Sequence, residues 1–150
     1  MAYRQVSERG LNLIKEFEGL SLEAYKCPAG IWTIGYGHTK DVHQGQVITI
    51  DQAEALLKED LHDARKWVSL AFQGLDITQG MYDACVSLAF NIGCKNFNRS
   101  TLQRLVVLGD YQGAANEFLR WDKARGPDGV LRPVAGLTRR RQAEKQLFIS

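Results

Sequence analysis

Long stretches with apolar residues at helical spacing alternate along this chain with one short, turn-rich interval. Leu11, Ile14 and Phe17, with Leu13 beside them, follow Ser7, a residue type that caps helix starts. That pattern predicts a helix over about 7–18, stopped by Gly19. Residues 20–48 then mix glycines at 30, 35, 37 and 45 with Ile31, Trp32, Thr33, Ile34 and Tyr36. This mixture predicts a small antiparallel sheet of two or three strands. From Thr49 the helical period returns. Thr49 and Asp51 are candidate caps, and Ala55, Leu56, Leu61, Ala64, Trp67, Val68 and Ala71 mark the apolar positions. The run predicts one helix to about Phe72, roughly 22 residues and 33 Å long, enough to join two lobes.

The strongest apolar period follows. Thr78 caps a helix whose Met81, Ala84, Cys85, Leu88, Ala89 and Ile92 recur at three and four, with Val86 and Phe90 on a second side. A helix apolar nearly all round belongs at the centre of a core. Gly93 closes it. Shorter helices are predicted over Thr101 to Leu108, after Ser100 or Asn98, and from Tyr111 to about Trp121, after Asp110. Pro127, Pro133 and three glycines make 124–136 a loop or hairpin, and Thr138 is the expected cap of a last helix, Arg139 to Phe148. No repeat or linker interrupts this order, so 1–150 is expected to be a single catalytic-sized domain. Its small β lobe spans about 20–50, and a larger helical lobe takes in the first helix and about 51–150.

Composition changes this picture little. The chain is 45% hydrophobic and 24% charged, with a net charge of +2, as expected of a soluble globular protein and without the strong basic balance of a nucleic-acid binder. The charge is uneven: from Arg120 onward eight Lys or Arg stand against three acids, a face that suits an anionic polymer if it is exposed. The three cysteines (27, 85, 94) form no C-x-x-C pair and no disulfide framework, and Cys85 and Cys94 read as structural. The three histidines (38, 43, 62) lack metal-ligand spacing, so no metal and no cofactor is expected. No stretch approaches the roughly 18 apolar residues of a membrane span, and the polar stretch from Met1 to Arg9 does not read as a secretory leader.

Chemistry concentrates at the end of the first helix. Glu18-Gly19 is followed by Ala24-Tyr25, Cys27, Gly30, Thr33-Ile34-Gly35 and Gly37-His38. A helix end followed by a tight hairpin would gather an acid, a thiol and a hydroxyl. This segment resembles the active-site frame of the phage-type lysozymes, the endolysins of glycoside hydrolase family 24, which carry Glu, eight residues, Asp or Cys, five residues, Thr. The resemblance continues through Gln79 to Gly93, Ser100-Thr101-Leu102, Phe118-x-x-Trp121 and Gly136-Leu137-x-x-Arg140-Arg141-x-x-Glu144. It departs from the commoner pattern at Cys27, where most members have Asp.

The resemblance implies an α+β, lysozyme-like fold: a small antiparallel sheet lobe and a larger helical lobe, joined by a long helix, with a glycan cleft. It implies hydrolysis of the β-1,4 bond from N-acetylmuramic acid to N-acetylglucosamine in bacterial peptidoglycan. Glycoside hydrolysis needs a proton donor and a second group that directs water or attacks the sugar. Glu18 takes the first role, and Cys27 and Thr33 the second. His38, Asn91 and Arg140 are the expected substrate-side residues. For His38 a role in holding the corner, or as a base in place of Cys27, stays open. Asn91, in an apolar helix, is expected to be buried and hydrogen-bonded. Arg140 is expected to position the acid, or else to lie in a solvated basic helix start.

By the same resemblance the protein is a monomer that waits in the host cytoplasm until a holin or other membrane lesion admits it to the periplasm or cell wall. It needs no nucleic acid, and this chain shows no stable membrane anchor. Three alternatives remain at this stage: a wall-binding module that has lost catalysis at Cys27, a nucleic-acid binder using Arg139 to Arg141, and a thiol peptidase built on Cys27 and His38.

Overall fold

The computed structural model describes residues 3–150 and is mostly helical, with two small antiparallel hairpins. Met1 and Ala2, the start of the stretch expected not to be a leader, lie outside the described residues. The chain divides into two compact units: Ile14–His62, and the residues up to Leu13 together with Asp63–Ser150. The smaller unit is wider than the expected 20–50. It takes the last turns of α1 (Glu8–Glu18) and the whole of α2 (Ile50–Asp60), because α2 packs on the sheet through buried Ala53 and Leu57.

Within the smaller unit, β1 (Ser21–Lys26) pairs antiparallel with β2 (Trp32–Gly35), with Tyr25 opposite Thr33 and Lys26 opposite Trp32. Single bridges at Glu23–Val47 and Ile34–His38 extend this two-stranded sheet. Thr49 caps α2 with a full capping box. Its hydroxyl accepts the Gln52 N–H at 3.1 Å, and the Gln52 side chain accepts the Thr49 N–H at 2.9 Å. Ile34 and Leu57 are at most 1% exposed and form the core of this unit.

The single long helix expected over 49–72 is two helices. The ladder of α2 breaks at Leu61, and α3 runs from His62 to Ala71. Leu61 keeps a near-helical backbone and is 1% exposed, so the chain runs on through the break without a Gly or Pro to announce it. The buried positions of α2 are Ala53 and Leu57; of the expected pair, Leu56 is half-buried beside them and Ala55 is exposed.

The larger unit is built around α4 (Gln79–Ile92), in which every residue from Tyr82 to Ala89 is buried. Fully burying each large apolar side chain contributes about 1.5–3 kcal/mol, and this helix contributes several. Thr78 caps its start by accepting the Met81 N–H at 3.1 Å. The last helix, α8 (Ala135–Ile149), lies against it closely: a Cβ on Gly80 would stand 2.4 Å from the Leu147 carbonyl oxygen. Around them are α5 (Cys94–Arg99), α6 (Thr101–Val107), α7 (Tyr111–Glu117), a 3-10 turn (Phe118–Trp121) and the hairpin β3 (Lys123–Arg125) with β4 (Leu131–Pro133). Phe118 meets Phe148 edge-on at 5.5 Å and Phe72 meets Phe97 at 6.0 Å.

Two local expectations change. The short helix α5 had no predicted counterpart. α8 begins three residues before Thr138, directly after Pro133 and Val134. Thr138 therefore sits inside the helix, where its hydroxyl donates to Asp122 Oδ2 at 3.0 Å instead of capping.

Candidate functional site

The local sequence of the smaller unit explains how the first three candidates are held. α1 ends when the Gly19 N–H donates to the Lys15 carbonyl at 3.0 Å, which leaves half-buried Glu18 as the last helical residue before β1. Lys15, one turn earlier, is tied to Glu54 of α2 at 3.2 Å and lies 5.9 Å from the centre of the Tyr36 ring. Glu18 Oε1 lies against the Gly37 backbone: a Cβ at Gly37 would stand 3.9 Å from it. Gly37 belongs to a tight turn in which Ile34 and His38 exchange both backbone hydrogen bonds at 2.9 Å. The acid thus faces the turn that follows β2.

Cys27 opens the turn between β1 and β2. Its N–H donates to the Ile31 carbonyl at 2.9 Å, and the Gly30 N–H donates back to the Cys27 carbonyl at 2.8 Å. The four residues Cys27-Pro28-Ala29-Gly30 are therefore a β-turn. Pro28 supplies the fixed φ of its second position and Gly30 the positive φ of 81° at its end. The thiol is held below its ordinary value, chiefly by the Ile31 backbone N–H. Partial burial opposes this, and Ala29, the Thr33 hydroxyl and Gly30 add to it. Thr33, 5% exposed, also donates its hydroxyl to the Ile31 carbonyl at 3.0 Å. A hydroxyl has one proton to give. In this structure Thr33 donates that proton to the Ile31 carbonyl.

His38 is 8% exposed, and both ring nitrogens are engaged. Nδ1 lies 2.8 Å from Asp60 Oδ2, and Nε2 lies 2.9 Å from the Lys40 carbonyl oxygen. In this geometry the ring joins the end of α2 to the loop after β2. Asp60, its partner across 22 residues, carried no signal in the sequence.

Asn91 and Arg140 lie in the larger unit, on α4 and α8. Asn91 is exposed, not buried as expected, because it falls at the last turn of α4, beyond the buried run Tyr82–Ala89; its side-chain oxygen accepts a hydrogen bond from Arg141. Arg140 and Arg141 are 3% and 0% exposed, which rules out the solvated basic helix start. Glu144, 0% exposed, binds both: its Oε2 accepts from Arg140 Nε at 3.2 Å, and its Oε1 lies 3.0 Å from Arg141 Nη1. Ser87 of α4 donates its hydroxyl to Glu144 and accepts from Arg140 Nη2 at 3.3 Å. Burial pushes the Glu144 carboxyl up, while Arg141, Arg140 and Ser87 pull it back.

The basic C-terminal third is thus largely satisfied within the protein, since Arg132 also pairs with Asp128 at 2.7 Å and Lys123 with Asp122 at 3.1 Å. Among the described residues there is no group of three or more His, Cys, Asp or Glu placed to hold a metal ion.

This chain is similar to known proteins over nearly its whole length. The pattern of the phage lysozyme family matches residues 15–144. The endolysin of Acyrthosiphon pisum secondary endosymbiont phage 1 is 50% identical over 145 residues, covering 97% of this chain and 98% of that one. Among solved structures, the muramidase domain of SpmX from Asticaccaulis excentricus superposes with a TM-score of 0.91 at 39% identity, covering 98% and 99% of the two chains. The endolysin from Escherichia coli O157:H7 phage FAHEc1 gives 0.92 at 37%, covering 99% and 96%. With the hairpin geometry and these full-length likenesses together, the chain belongs to the phage lysozyme family, glycoside hydrolases with an α+β lysozyme-like fold.

Proposed function

We propose that this protein is an endolysin that hydrolyses the β-1,4 bond between N-acetylmuramic acid and N-acetylglucosamine in bacterial peptidoglycan. Glu18 is the general acid. Its carboxyl proton passes to the glycosidic oxygen as the bond to the anomeric carbon breaks. Cys27 and Thr33 hold the attacking water. The water's oxygen bonds the anomeric carbon, and its proton leaves toward the Cys27–Thr33 pair.

The arrangement that carries this reading is the hairpin directly after Glu18, whose tight turn places Cys27 beside the strand that bears Thr33, with Glu18 Oε1 against the Gly37 backbone. Cys27 stands where most members resembled here have Asp, and its thiol is held below its ordinary value, which favours the thiolate form. His38, Asn91 and Arg140 enter as positioning residues, since each already bonds protein partners.

No helix of the described residues is long and apolar enough to cross a membrane. As part of the same proposal, drawn from the likeness to endolysins, the protein waits on the cytoplasmic side as a monomer until a holin or another membrane lesion opens the way to the wall. Purified peptidoglycan tests the reaction. Digestion should release new reducing sugars without new peptide amines, whereas amines without reducing sugars would point to a thiol peptidase and overturn the reading.

A further inference from the structure

The larger unit contains a cavity of about 230 Å³ that the chemistry of the hairpin does not use. It opens where the turn after α3 meets the N-terminal arm. Leu70, Phe72, Leu75 and Ile77 form its apolar side, and Tyr82 and Arg4 its polar side. Phe72, Ile77 and Tyr82 are at most 7% exposed, whereas Leu70 is 53% exposed and stands at the rim. The cavity is open to solvent on its Leu70 side, so it is a surface cleft with a buried floor at Phe72, Ile77 and Tyr82. An apolar cavity of about 150 Å³ is enough to take up benzene. The space here fits one ring with a small head group.

The polar side defines the head. Tyr82 Oη donates to the Arg4 carbonyl at 2.6 Å and lies 3.2 Å from the Ser69 hydroxyl. The Arg4 guanidinium lies 5.3 Å from the centre of the Tyr82 ring, and its Nη1 donates to the carbonyls of Ile77 at 3.2 Å and Thr78 at 3.4 Å. Both bonds use Nη1, which leaves the donors on Nε and Nη2 for an anion. Among the described residues that line the cavity Arg4 carries the one full charge, and no acid opposes it.

We propose that this cavity binds a small amphiphilic anion, a carboxylate on one aromatic ring or an equally short acyl chain. The tail lies between Phe72, Leu75 and Ile77, and the carboxylate meets Arg4. The arm that carries Arg4 is itself strapped down. Arg65 donates from Nε to the Arg4 carbonyl at 3.0 Å and from Nη2 to the Tyr3 carbonyl at 2.7 Å, and Gln79 donates to the Gln5 carbonyl at 2.9 Å. A ligand that needs Arg4 in place binds the strapped arm and stabilises it by mass action.

The test is a titration of the whole chain with benzoate, with toluene as the tail alone and acetate as the head alone. Backbone amide shifts and the melting temperature are the readouts. Benzoate should saturate at millimolar concentrations or below, shift the amides of residues 70–77, raise the melting temperature, and bind at least about tenfold more tightly than toluene or acetate. Arg4→Gln should bring benzoate down to the affinity of toluene. Leu70→Trp, a change at an exposed rim position that the fold tolerates, should close the entrance and weaken both at least about tenfold. No saturable shift up to about 10 mM benzoate would overturn the proposal. So would toluene binding as tightly as benzoate, or a Leu70→Trp protein that binds benzoate like the wild type.

Discussion

His38 and Asp60 are joined side chain to side chain, with Nδ1 2.8 Å from Oδ2, while the other ring nitrogen lies 2.9 Å from the Lys40 carbonyl oxygen. Both ring nitrogens are therefore within hydrogen-bond reach of an oxygen, one from a side chain and one from the backbone. The pair fixes the end of α2 to the loop that follows the β1–β2 hairpin.

Removing the carboxylate tests this tie. The pair is mostly buried, with side-chain exposures of 9% and 26%. Asp60→Ala should destabilise the protein by about 2 kcal/mol, the range for hydrogen bonds to charged groups. Urea unfolding of wild type and variant measures it, and a loss below about 0.5 kcal/mol would show that the tie is not structural.

The cysteines should differ in reactivity. The Ile31 N–H holds Cys27 below the ordinary thiol value. Burial pushes Cys85 well up, with the Glu144 carboxylate adding to it, and burial with Asp63 pushes Cys94 up. Thiolate is the reactive form. Iodoacetamide should therefore label Cys27 first, at a pH lower than an unperturbed cysteine requires, and inhibition should track that labelling by mass spectrometry. The depressed folded value also fixes the sign for stability. Cys27 contributes stability above its unfolded value, and that contribution is lost as pH falls through the folded one. Activity that needs the thiolate should rise with pH across the same depressed range.

Glycine at position 80 sets the approach of α4 and α8. An added Cβ would stand 2.4 Å from the Leu147 carbonyl, which belongs to the backbone and has little freedom to move aside. Gly80→Ala should cost about 1–3 kcal/mol, as overpacking does. Thermal unfolding measures it, and an unchanged midpoint would mean that the two helices slide apart at no cost.

The buried ion cluster should be costlier to break. Glu144→Ala leaves two guanidiniums without their shared carboxylate and should destabilise by about 3–5 kcal/mol. Chemical denaturation checks this against the milder Glu144→Gln.

How much of this was legible depended on the range of the interaction. Thr49, Thr78, Ser100 and Asp110 were readable as caps because a cap is satisfied within three residues. The same cue misled at Thr138, where the hydroxyl found Asp122, 16 residues away, and α8 starts with no side-chain cap. The break at Leu61 involves neither Gly nor Pro, and α5 buries little more than Phe97, so neither left a periodic trace. Burial of Arg140 and Arg141 rests on Ser87 and Glu144, 57 positions apart, a pairing that charge counting reads as a basic surface. The hairpin was readable because its glycines, Pro28 and the β-branched and aromatic run Ile31 to Ile34 act locally.

The central claim is that Glu18 donates the proton and that Cys27, with Thr33, manages the water. Reducing-end release from purified peptidoglycan by Glu18→Gln, Cys27→Ala and Cys27→Asp tests it most directly, with each variant first shown to be folded by circular dichroism. Glu18→Gln should fall at least about a hundredfold, the lower end for general acid catalysis. Cys27→Asp should stay within about tenfold of wild type, because it restores a charged acceptor at the same turn position. Cys27→Ala should lose far more. More than a tenth of wild-type activity in Glu18→Gln, or full activity in Cys27→Ala, would contradict the account.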